Sequence, residues 1–343
     1  MRAETVKRIA RECGFELAGV APADPLEDFA RYQHWVANGF AGEMRYLTDR
    51  RAQIRGDVHN PLPAARSVIC VGKLYHQPAP PVPPAHGIVA RYAWGQDYHD
   101  VVRAGLEELA RRLREIEPFD SKICVDTAPL LERSIAHRAG LGWIGKNTCL
   151  IHEPMGSWFF LGELITSLEL EPDTPPPDRC GTCTRCIDAC PTGALLPAGD
   201  GFTLDSRRCI SYFTIELRGS IPEQYRPDIG AYILGCDICQ DVCPWNARAP
   251  ESAAFTSVYA APDLTECSRL SAEEFQSRFE GSALNRPKYS GFLRNVAIAM
   301  GNSSLPSLRE PLEALARHSD PVVAEHGRWA MKRLDEARDE TIP

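Results

Sequence analysis

The chain has 343 residues, 44% of them apolar and 8% aromatic, so it is long enough for two or three domains with a sizeable core. No apolar run reaches the roughly 18 residues that a membrane span needs, and the amphipathic start MRAETVKRIARECGF lacks the apolar centre of a signal peptide, so we expect a cytoplasmic protein with no membrane partner. The formal net charge of −8 argues against broad, non-specific nucleic-acid binding but leaves room for a local basic surface.

Residues 1–170 combine helical and strand patterns. Apolar residues recur at helical spacing over residues 3–13, 100–116 and 127–139. The clearest strand patterns are SVICVGKLY, SWFFLGELI and KICVDT. Between them, residues 76–87 form a proline-rich loop with no regular pattern. We predict an α+β protein that begins with an α/β domain.

A polar-aromatic segment, ARYAWGQDYHD, follows the proline-rich loop. Asp97 and His99 begin the pattern D-x-H-x-x-G, the cobalamin-binding motif whose histidine ligates cobalt. Position 102 is Val102 rather than glycine, however, and no long glycine-rich domain follows. The pattern therefore favours a structural, hydrogen-bonded role for His99 over that of an axial ligand.

The stretch CVDTAPLLERSIAHRAGLGWIGKN places a carboxylate between a strand and a helix. The strand is expected to end at Asp126, and the helix to pass through Glu132 and Arg133. By pattern alone, Asp126 is more readily a helix N-cap than a catalytic acid. The glycines that follow the helix do not form G-x-G-x-x-G after a strand, so a dinucleotide site is excluded.

Two cysteine runs mark residues 171–250, which begin in the linker EPDTPPPD. The first has the spacing C-x2-C-x2-C-x3-C-P and comprises Cys180, Cys183, Cys186 and Cys190. This is the run of bacterial two-cluster ferredoxins, whose fourth cysteine ligates the other cluster. A second run, one cysteine short, comprises Cys236, Cys239 and Cys243.

Eight thiolates suffice for two [4Fe–4S] clusters if Cys209 replaces the cysteine that the second run lacks at Ile233. The first cluster would then be ligated by Cys180, Cys183, Cys186 and Cys243. The second would be ligated by Cys190, Cys209, Cys236 and Cys239. Paired zinc sites remain an alternative, although this spacing is not that of a zinc ribbon. The other thiols are expected to be small buried hydrophobic side chains, namely Cys13, Cys70, Cys124, Cys149 and Cys267.

Residues 251–343 are predicted to be helical. YSGFLRNVAIAMGN, LREPLEALARHS and DPVVAEHGRWAMKRLDEA show helical apolar spacing, and Asp320-Pro321 is a good helix start. The pattern is typical of a HEAT-like section of about one and a half repeats, which would dock on the rest of the chain. Basic residues such as Arg294 and Lys332 could hold phosphates there, so their charge reversal is expected to raise KM for a nucleic acid.

Several motifs in combination resemble one known family. They are VDTAPLLERSIAHRAGLGWIGKN, the interleaved cysteine runs with CISYFTIE between them, GCDICQDVCPWN and LRNVAIAMGN. Together they resemble the epoxyqueuosine reductases, iron–sulfur and cobalamin-dependent enzymes related to reductive dehalogenases. The resemblance runs from about residue 10 to residue 335.

This resemblance implies a function and a domain plan. The family reduces epoxyqueuosine to queuosine at the wobble position of tRNA with a GUN anticodon. Electrons pass from an external low-potential donor of the flavodoxin or ferredoxin type, through two [4Fe–4S] clusters, to base-off cobalamin. Residues 1–170 would be the cobalamin-binding catalytic domain, residues 171–250 a ferredoxin-like double-cluster domain, and residues 251–343 the tRNA-binding HEAT-like section. A monomer is expected.

The resemblance also implies roles for individual residues. Asp126 inherits the role of proton donor, in competition with its interpretation as an N-cap. Contacts with cobalamin are expected from Arg55, Tyr98, Asn147, Leu150, Gly162 and Ser211. Two other hypotheses stay open at this point: a dehalogenase-like reductase of small molecules that uses the same cofactors, and a non-catalytic electron-transfer subunit.

Overall fold

The structure, a computed structural model, describes residues 1–199, 201–252 and 254–339, so the end of the predicted helical section, 340–343, lies outside the described residues. Helices span Ala3–Glu12 (α1), Asp28–Ala37 (α2), Tyr98–Arg114 (α3), Glu132–Arg138 (α4), Arg185–Asp188 (α5), Ile210–Ile215 (α6), Ile238–Asp241 (α7), Leu264–Arg269 (α8), Ala272–Arg278 (α9), Lys288–Ser303 (α10), Arg309–Ala316 (α11) and Pro321–Asp339 (α12). Strands span Leu17–Pro22 (β1), Ser67–Leu74 (β2), Ile88–Val89 (β3), Ser121–Cys124 (β4), Trp143–Ile144 (β5), Leu150–Ile151 (β6), Phe159–Thr166 (β7), Leu195–Ala198 (β8), Gly201–Leu204 (β9) and Tyr232–Leu234 (β10). Within the described ranges, no helix has both the length and the apolar character to cross a bilayer.

A four-stranded sheet with the order β1-β2-β7-β4 forms the centre of the first section. Every pairing in it is antiparallel. The three predicted strands are confirmed, although the third ends at Cys124 rather than at Asp126. The register places Glu163 of β7 between Cys70 of β2 and Cys124 of β4.

Helices cover both faces of this sheet because side chains alternate along each strand. Ile69 and Val71 of β2 belong to the core beneath α1 and α3. Val68 and Cys70, which point the other way, belong to the core beneath α4. The first section therefore mixes helices and strands as predicted, but around an antiparallel sheet.

A second large core joins parts of all three predicted sections. Its buried members include Val89 from the first section, Phe213 and Ile233 from the second, and Phe292 and Leu334 from the third. The parallel pairing of β10 with β3 also links the first two sections. The sections pack as parts of one body, and their exact boundaries stay a prediction.

The three predicted C-terminal helices are confirmed as α10, α11 and α12. Pro321 opens α12, and the Asp320 carboxylate accepts hydrogen bonds from the N–H groups of Val322 and Val323. This is the predicted N-cap followed by proline at the first helical position. Helix α10 packs against α6 and β10, so the helical section docks on the cysteine-rich section.

Arg294 is not available to bind phosphates, which corrects the prediction made for it. Its side chain is fully buried in α10. The guanidinium donates hydrogen bonds to the backbone carbonyls of Leu217 (2.8 Å), Gly219 (2.7 Å) and Phe213 (2.5 Å), and to the side-chain oxygen of Asn295. Its role is to hold the segment that follows α6 against the helical section.

We expect Arg294→Met to destabilise the protein without changing its affinity for nucleic acid directly. Methionine fills most of the space but leaves three buried carbonyls without donors, which should lower the free energy of unfolding by about 3 kcal/mol. Thermal and urea unfolding measure the change. Lys332→Met, at a largely exposed position on α12, is the matched control and should leave stability nearly unchanged. An Arg294→Met protein as stable as the wild type would contradict this assignment.

Candidate active site and cysteine clusters

Asp126 lies in a strained turn and does not cap a helix. Helix α4 begins only at Glu132, and its N-cap residue is Leu131, so the N-cap interpretation of Asp126 and the predicted helix start at residue 127 are wrong. Asp126 has φ +48°, in the left-handed region that few non-glycine residues adopt. Its N–H donates a 2.6 Å hydrogen bond to Oε1 of Glu132, which holds the turn in this conformation.

The carboxylate of Asp126 pairs with a histidine from the start of α3. Nε2 of His99 lies 3.2 Å from Oδ2 of Asp126, and Nδ1 of His99 lies 2.6 Å from Oδ1 of Asp97. Asp97 is the N-cap of α3 and fixes the histidine from the other side. Hydrogen bonds that the imidazole donates to Asp126 first, and then to Asp97, raise the pKa of His99 to about 9. The imidazole is therefore protonated at neutral pH.

Two glutamates, Glu163 fully buried and Glu132 partly buried, lie behind the Asp126 turn. Glu163 is fully buried in β7. Among the described residues, neither of its carboxyl oxygens accepts a hydrogen bond from an N–H group or a hydroxyl. Burial, followed by the charge of Glu132, raises its pKa well above the usual range, so Glu163 is protonated and can donate to Glu132. Burial, followed by the charge of Asp126, also raises the pKa of Glu132 to about 7. A lone glutamate in the apolar strand SWFFLGELI was the sequence signal for this pair.

Residues distant in sequence form a wall near Asp126. The guanidinium of Arg286 lies 5.5 Å from the centre of the Tyr46 ring and 3.0 Å from the carboxylate of Glu216. Burial, followed by the charge of Glu216, raises the pKa of Tyr46 to about 12, with a smaller contribution from Asp126. Tyr92 lies within electrostatic reach of Asp126 too. No sequence motif indicated this convergence.

Arg55 and Tyr98, both predicted to contact cobalamin, are held by contacts within the protein. Arg55 is buried and donates to the carbonyls of Leu130 (3.1 Å) and Tyr46 (3.2 Å), so it ties the Asp126 turn to the Tyr46 wall. Its Nε has no acceptor among the described residues. The ring of Tyr98 stacks on His99 and on Phe160, with centroid distances of 4.2 Å and 4.0 Å.

Two further predicted contacts, Leu150 and Gly162, are buried within the protein. Leu150 belongs to the core beneath α4. A Cβ atom on Gly162 would lie 2.6 Å from Val102 and 3.0 Å from Leu106, so this glycine lets α3 approach the sheet closely. The structure therefore gives Gly162 a packing role and brings it to the Asp126 region only through its neighbour Glu163.

Four of the eight predicted thiol ligands surround one cavity. Cys180, Cys183, Cys186 and Cys243 line a space of about 320 Å³, together with Asn147 and Lys146. Lys146 donates to the carbonyls of Gly181 (2.7 Å) and Cys183 (3.0 Å) and so braces the cysteine loop. Burial, followed by the charges of the other three cysteines, raises the pKa of Cys186 to about 11.

The other four predicted ligands form a second group. Burial foremost, and then the charges of neighbouring thiols that include Cys209 and Cys190, raise the pKa of Cys236. Cys209 and Cys236 are likewise neighbours of Cys239. Burial raises the pKa of the Cys209 thiol, and the nearby N–H and hydroxyl of Ser211, the residue predicted to contact cobalamin, oppose this effect. The two groups of thiols are the two groups that the interleaved spacing predicted.

Asn147 and Cys149 connect the two groups. Asn147 lines the cavity of the first group and donates to the carbonyl of Cys239 in the second, at 3.4 Å. The thiol of Cys149, predicted to be an inert core residue, lies next to the thiol of Cys239, which lowers the pKa of Cys149. Its position one residue before a strand gave no sign of this contact.

Arg91 and Tyr92 connect the second thiol group to the Asp126 region. Arg91 donates its backbone N–H (2.8 Å) and its guanidinium (3.2 Å) to Asp237, which lies between Cys236 and Cys239. The next residue, Tyr92, is influenced by the charges of both Asp237 and Asp126. One short segment of chain therefore spans the distance from the thiols to the carboxylate.

Two family models match the chain. The model described as "4Fe-4S double cluster binding domain" matches residues 179–246, which contain all eight thiols discussed above. The model described as "Epoxyqueuosine reductase QueG, DUF1730" matches residues 55–127, which end just after Asp126. The metal groups of the cysteine-rich section are thus iron–sulfur clusters, and the zinc alternative is set aside.

Relatives resemble the chain over almost its whole length. An epoxyqueuosine reductase from Xanthomonas campestris is 41% identical over 344 residues, which cover 96% of this chain and 95% of the relative. A crystal structure of an epoxyqueuosine reductase with an epoxyqueuosine-modified tRNA-Tyr stem loop has a TM-score of 0.88 at 30% identity, covering 99% of this chain and 94% of that one. A structure of the Bacillus subtilis epoxyqueuosine reductase, with its catalytic aspartate loop swung out of the active site, has a TM-score of 0.86 at 29% identity, with the same coverage.

Proposed function

Because this chain belongs to the epoxyqueuosine reductase family and is an oxidoreductase of that family, we propose that it reduces epoxyqueuosine to queuosine at the wobble position of tRNA. The observation that carries the proposal is the placing of Asp126, held by Glu132 and paired with a protonated His99. A carboxyl in contact with a proton source suits a reaction in which an oxygen must leave. No comparable observation supports the two alternatives, a reductase of small molecules and a non-catalytic electron-transfer subunit.

We assign the eight thiols to two clusters as the sequence predicted. Cys180, Cys183, Cys186 and Cys243 would hold one cluster, because they share a cavity. Cys190, Cys209, Cys236 and Cys239 would hold the other, and the N–H and hydroxyl of Ser211 would donate to one of its sulfurs. Polar groups near cluster sulfurs and burial tune reduction potentials, so Ser211 and Cys149 would contribute to that of the second cluster. Flavodoxin or ferredoxin is the class of donor that suits such clusters.

The residues near Asp126 fit a corrinoid. The buried Nε of Arg55 lacks an acceptor, and the amide and phosphate oxygens of cobalamin are suitable acceptors. Tyr98 and Ser211 would contribute further contacts with cobalamin. Leu150 and Gly162, which are buried, would support the cobalamin pocket from within the protein. When bound, cobalamin supplies reduced cobalt, which carries the electrons needed to open the epoxide.

Asp126 is assigned the role of proton donor to the epoxide oxygen. Its side chain is half exposed, so a substrate can reach the carboxyl without unfolding the turn. Glu132 fixes the backbone, and His99 fixes the side chain, which places the acid before the substrate arrives. In the Bacillus subtilis relative the catalytic aspartate loop also occurs in a swung-out position, and the hydrogen bond from Asp126 to Glu132 is the contact that would hold the loop in.

The substrate would be the anticodon loop of tRNA with a GUN anticodon. An unpaired loop base can be turned outwards into a pocket, where aromatic side chains stack on it. Tyr46 and Arg286 are suitably placed near Asp126, since one offers a ring and the other a cation. A relative has been crystallised with a tRNA stem loop that carries the modified base, and such binding should weaken as salt increases.

The test is single-turnover reduction under anaerobic conditions. Protein reconstituted with iron, sulfide and cobalamin is mixed with a reductant and a tRNA stem loop that carries epoxyqueuosine. Nucleoside mass spectrometry should show loss of one oxygen and appearance of queuosine. Equal turnover of the free modified nucleoside would remove the case for tRNA recognition. Fully loaded protein that leaves the stem loop unchanged would overturn the proposed function.

A further inference from the structure

The proton balance of the proposed reaction requires more than one acid. Converting an epoxide to an alkene breaks two C–O bonds, consumes two electrons and two protons, and releases the oxygen as water. Asp126 can deliver one proton at a time, and nothing in its assigned role supplies the second. If the proposed function is the reaction catalysed, a second group near Asp126 must therefore supply protons to it.

His99 is the neighbour of Asp126 that is placed to supply them. Its Nε2 lies 3.2 Å from the Oδ2 atom of Asp126, within reach for proton transfer. Its Nδ1 is hydrogen-bonded to Asp97 at 2.6 Å, which fixes both the ring orientation and the position of the second N–H. The ring is partly exposed, so solvent can reprotonate it after it has given up its proton.

We propose that His99 supplies both protons of the reaction through Asp126, one after the other. As the first C–O bond breaks, the oxygen takes a proton that passes from Nε2 of His99 across the Asp126 carboxylate. Solvent then reprotonates His99. When the second C–O bond breaks, the leaving hydroxyl takes a second proton by the same route and departs as water, while the two electrons come from the external donor. His99 does not touch the substrate, so it is a positioning and proton-supplying residue.

The surroundings of His99 keep it charged before the reaction. The titratable groups that face it are Asp97 at the cap of its own helix, Asp126 on the turn after β4, and Tyr98, whose ring stacks on the imidazole at 4.2 Å. The two carboxylates favour the imidazolium form and raise its pKa to about 9. Protonated His99 is therefore available below that pH and is lost as the pH rises through it.

The first test is His99→Gln, since the glutamine amide can still donate a hydrogen bond to Asp126 but cannot release a proton. Single-turnover reduction of the epoxyqueuosine stem loop should slow by about 10²-fold, with the Kd for the stem loop unchanged. The wild-type rate should fall above about pH 9, and this limb should be absent in His99→Gln. Asp97→Asn, which keeps the helix cap, should move the limb to lower pH. His34→Gln, at an exposed position on α2, is the matched control.

The second test needs no cofactor and no turnover. Histidine NMR on the full chain should show one imidazole with a pKa near 9, assigned to His99 by its loss in His99→Gln, and Asp126→Asn should lower that pKa. An unshifted pKa in Asp126→Asn, or wild-type speed in His99→Gln, would overturn the inference alone. Wild-type protein that leaves epoxyqueuosine unreduced would overturn the proposed function, and this inference with it.

Discussion

Asp126→Asn should lower the single-turnover rate by about 10²–10⁴-fold, the usual contribution of a general acid. Asparagine is nearly the same size, and it tolerates the left-handed backbone that Asp126 adopts at φ +48°. The hydrogen bond from the backbone N–H to Glu132 is kept as well. The variant therefore removes the carboxylate, and with it the negative charge that pairs with His99, while the turn keeps its backbone conformation.

The measurement is rapid mixing of reduced, fully loaded enzyme with the epoxyqueuosine stem loop. Iron content, cobalamin binding and thermal stability should equal those of the wild type. Asp120→Asn, an exposed change next to the start of β4, is the matched control and should react at the wild-type rate. Near-normal reduction by Asp126→Asn would refute the catalytic assignment. The structure has already removed the N-cap alternative, since α4 begins at Glu132.

Cys209→Ser should remove about half of the iron and all steady-state turnover. Two cubanes contain about eight irons, and Cys209 is assigned to one cubane only. Its sulfur is a neighbour of Cys190 and Cys236, whereas the other four thiols share a separate cavity. We therefore expect about four irons to remain, with the electron path broken near Asp126.

Iron analysis and low-temperature EPR of the reduced protein measure this outcome. Cys13→Ser, which changes a thiol far from both groups in sequence and in contacts, is the control and should keep about eight irons. Cys209→Ser protein that keeps all of its iron would show that another residue completes the second cluster. Loss of both clusters would show that the two thiol groups fold only together.

Much of the fold was accessible from local patterns. The strands over residues 67–74 and 159–166, and the helices α1, α3 and α10 to α12, follow from apolar periodicity, which depends only on neighbours along the chain. The start of α12 at Asp320-Pro321 follows from capping chemistry, which is equally local. The antiparallel order of the central sheet did not follow, because strand pairing depends on contacts between distant segments.

The candidate site likewise has parts that local sequence patterns predict and parts that depend on contacts between distant segments. Seven of the eight predicted ligand thiols follow from spacing, because ferredoxin-type ligands lie in short contiguous runs, and Cys209 was added because the second run is one cysteine short. Arg294 was misjudged because a charged residue on a helix is usually solvated, and only the packing of α10 against α6 shows that it is buried. Only the structure shows that α3 approaches the open side of Gly162, whose predicted contact with cobalamin stays a prediction.

The sequence by itself determined the family, and it predicted the cysteine ligands and the acidic residue, which stay proposals. Only the tertiary structure decided what surrounds Asp126. His99 reaches it from 27 residues away through the docking of α3. Glu163 lies behind it because the register pairs Glu163 with Cys124 across β7 and β4. Proton transfer depends on distances of about 3 Å between such groups, and folding alone sets those distances.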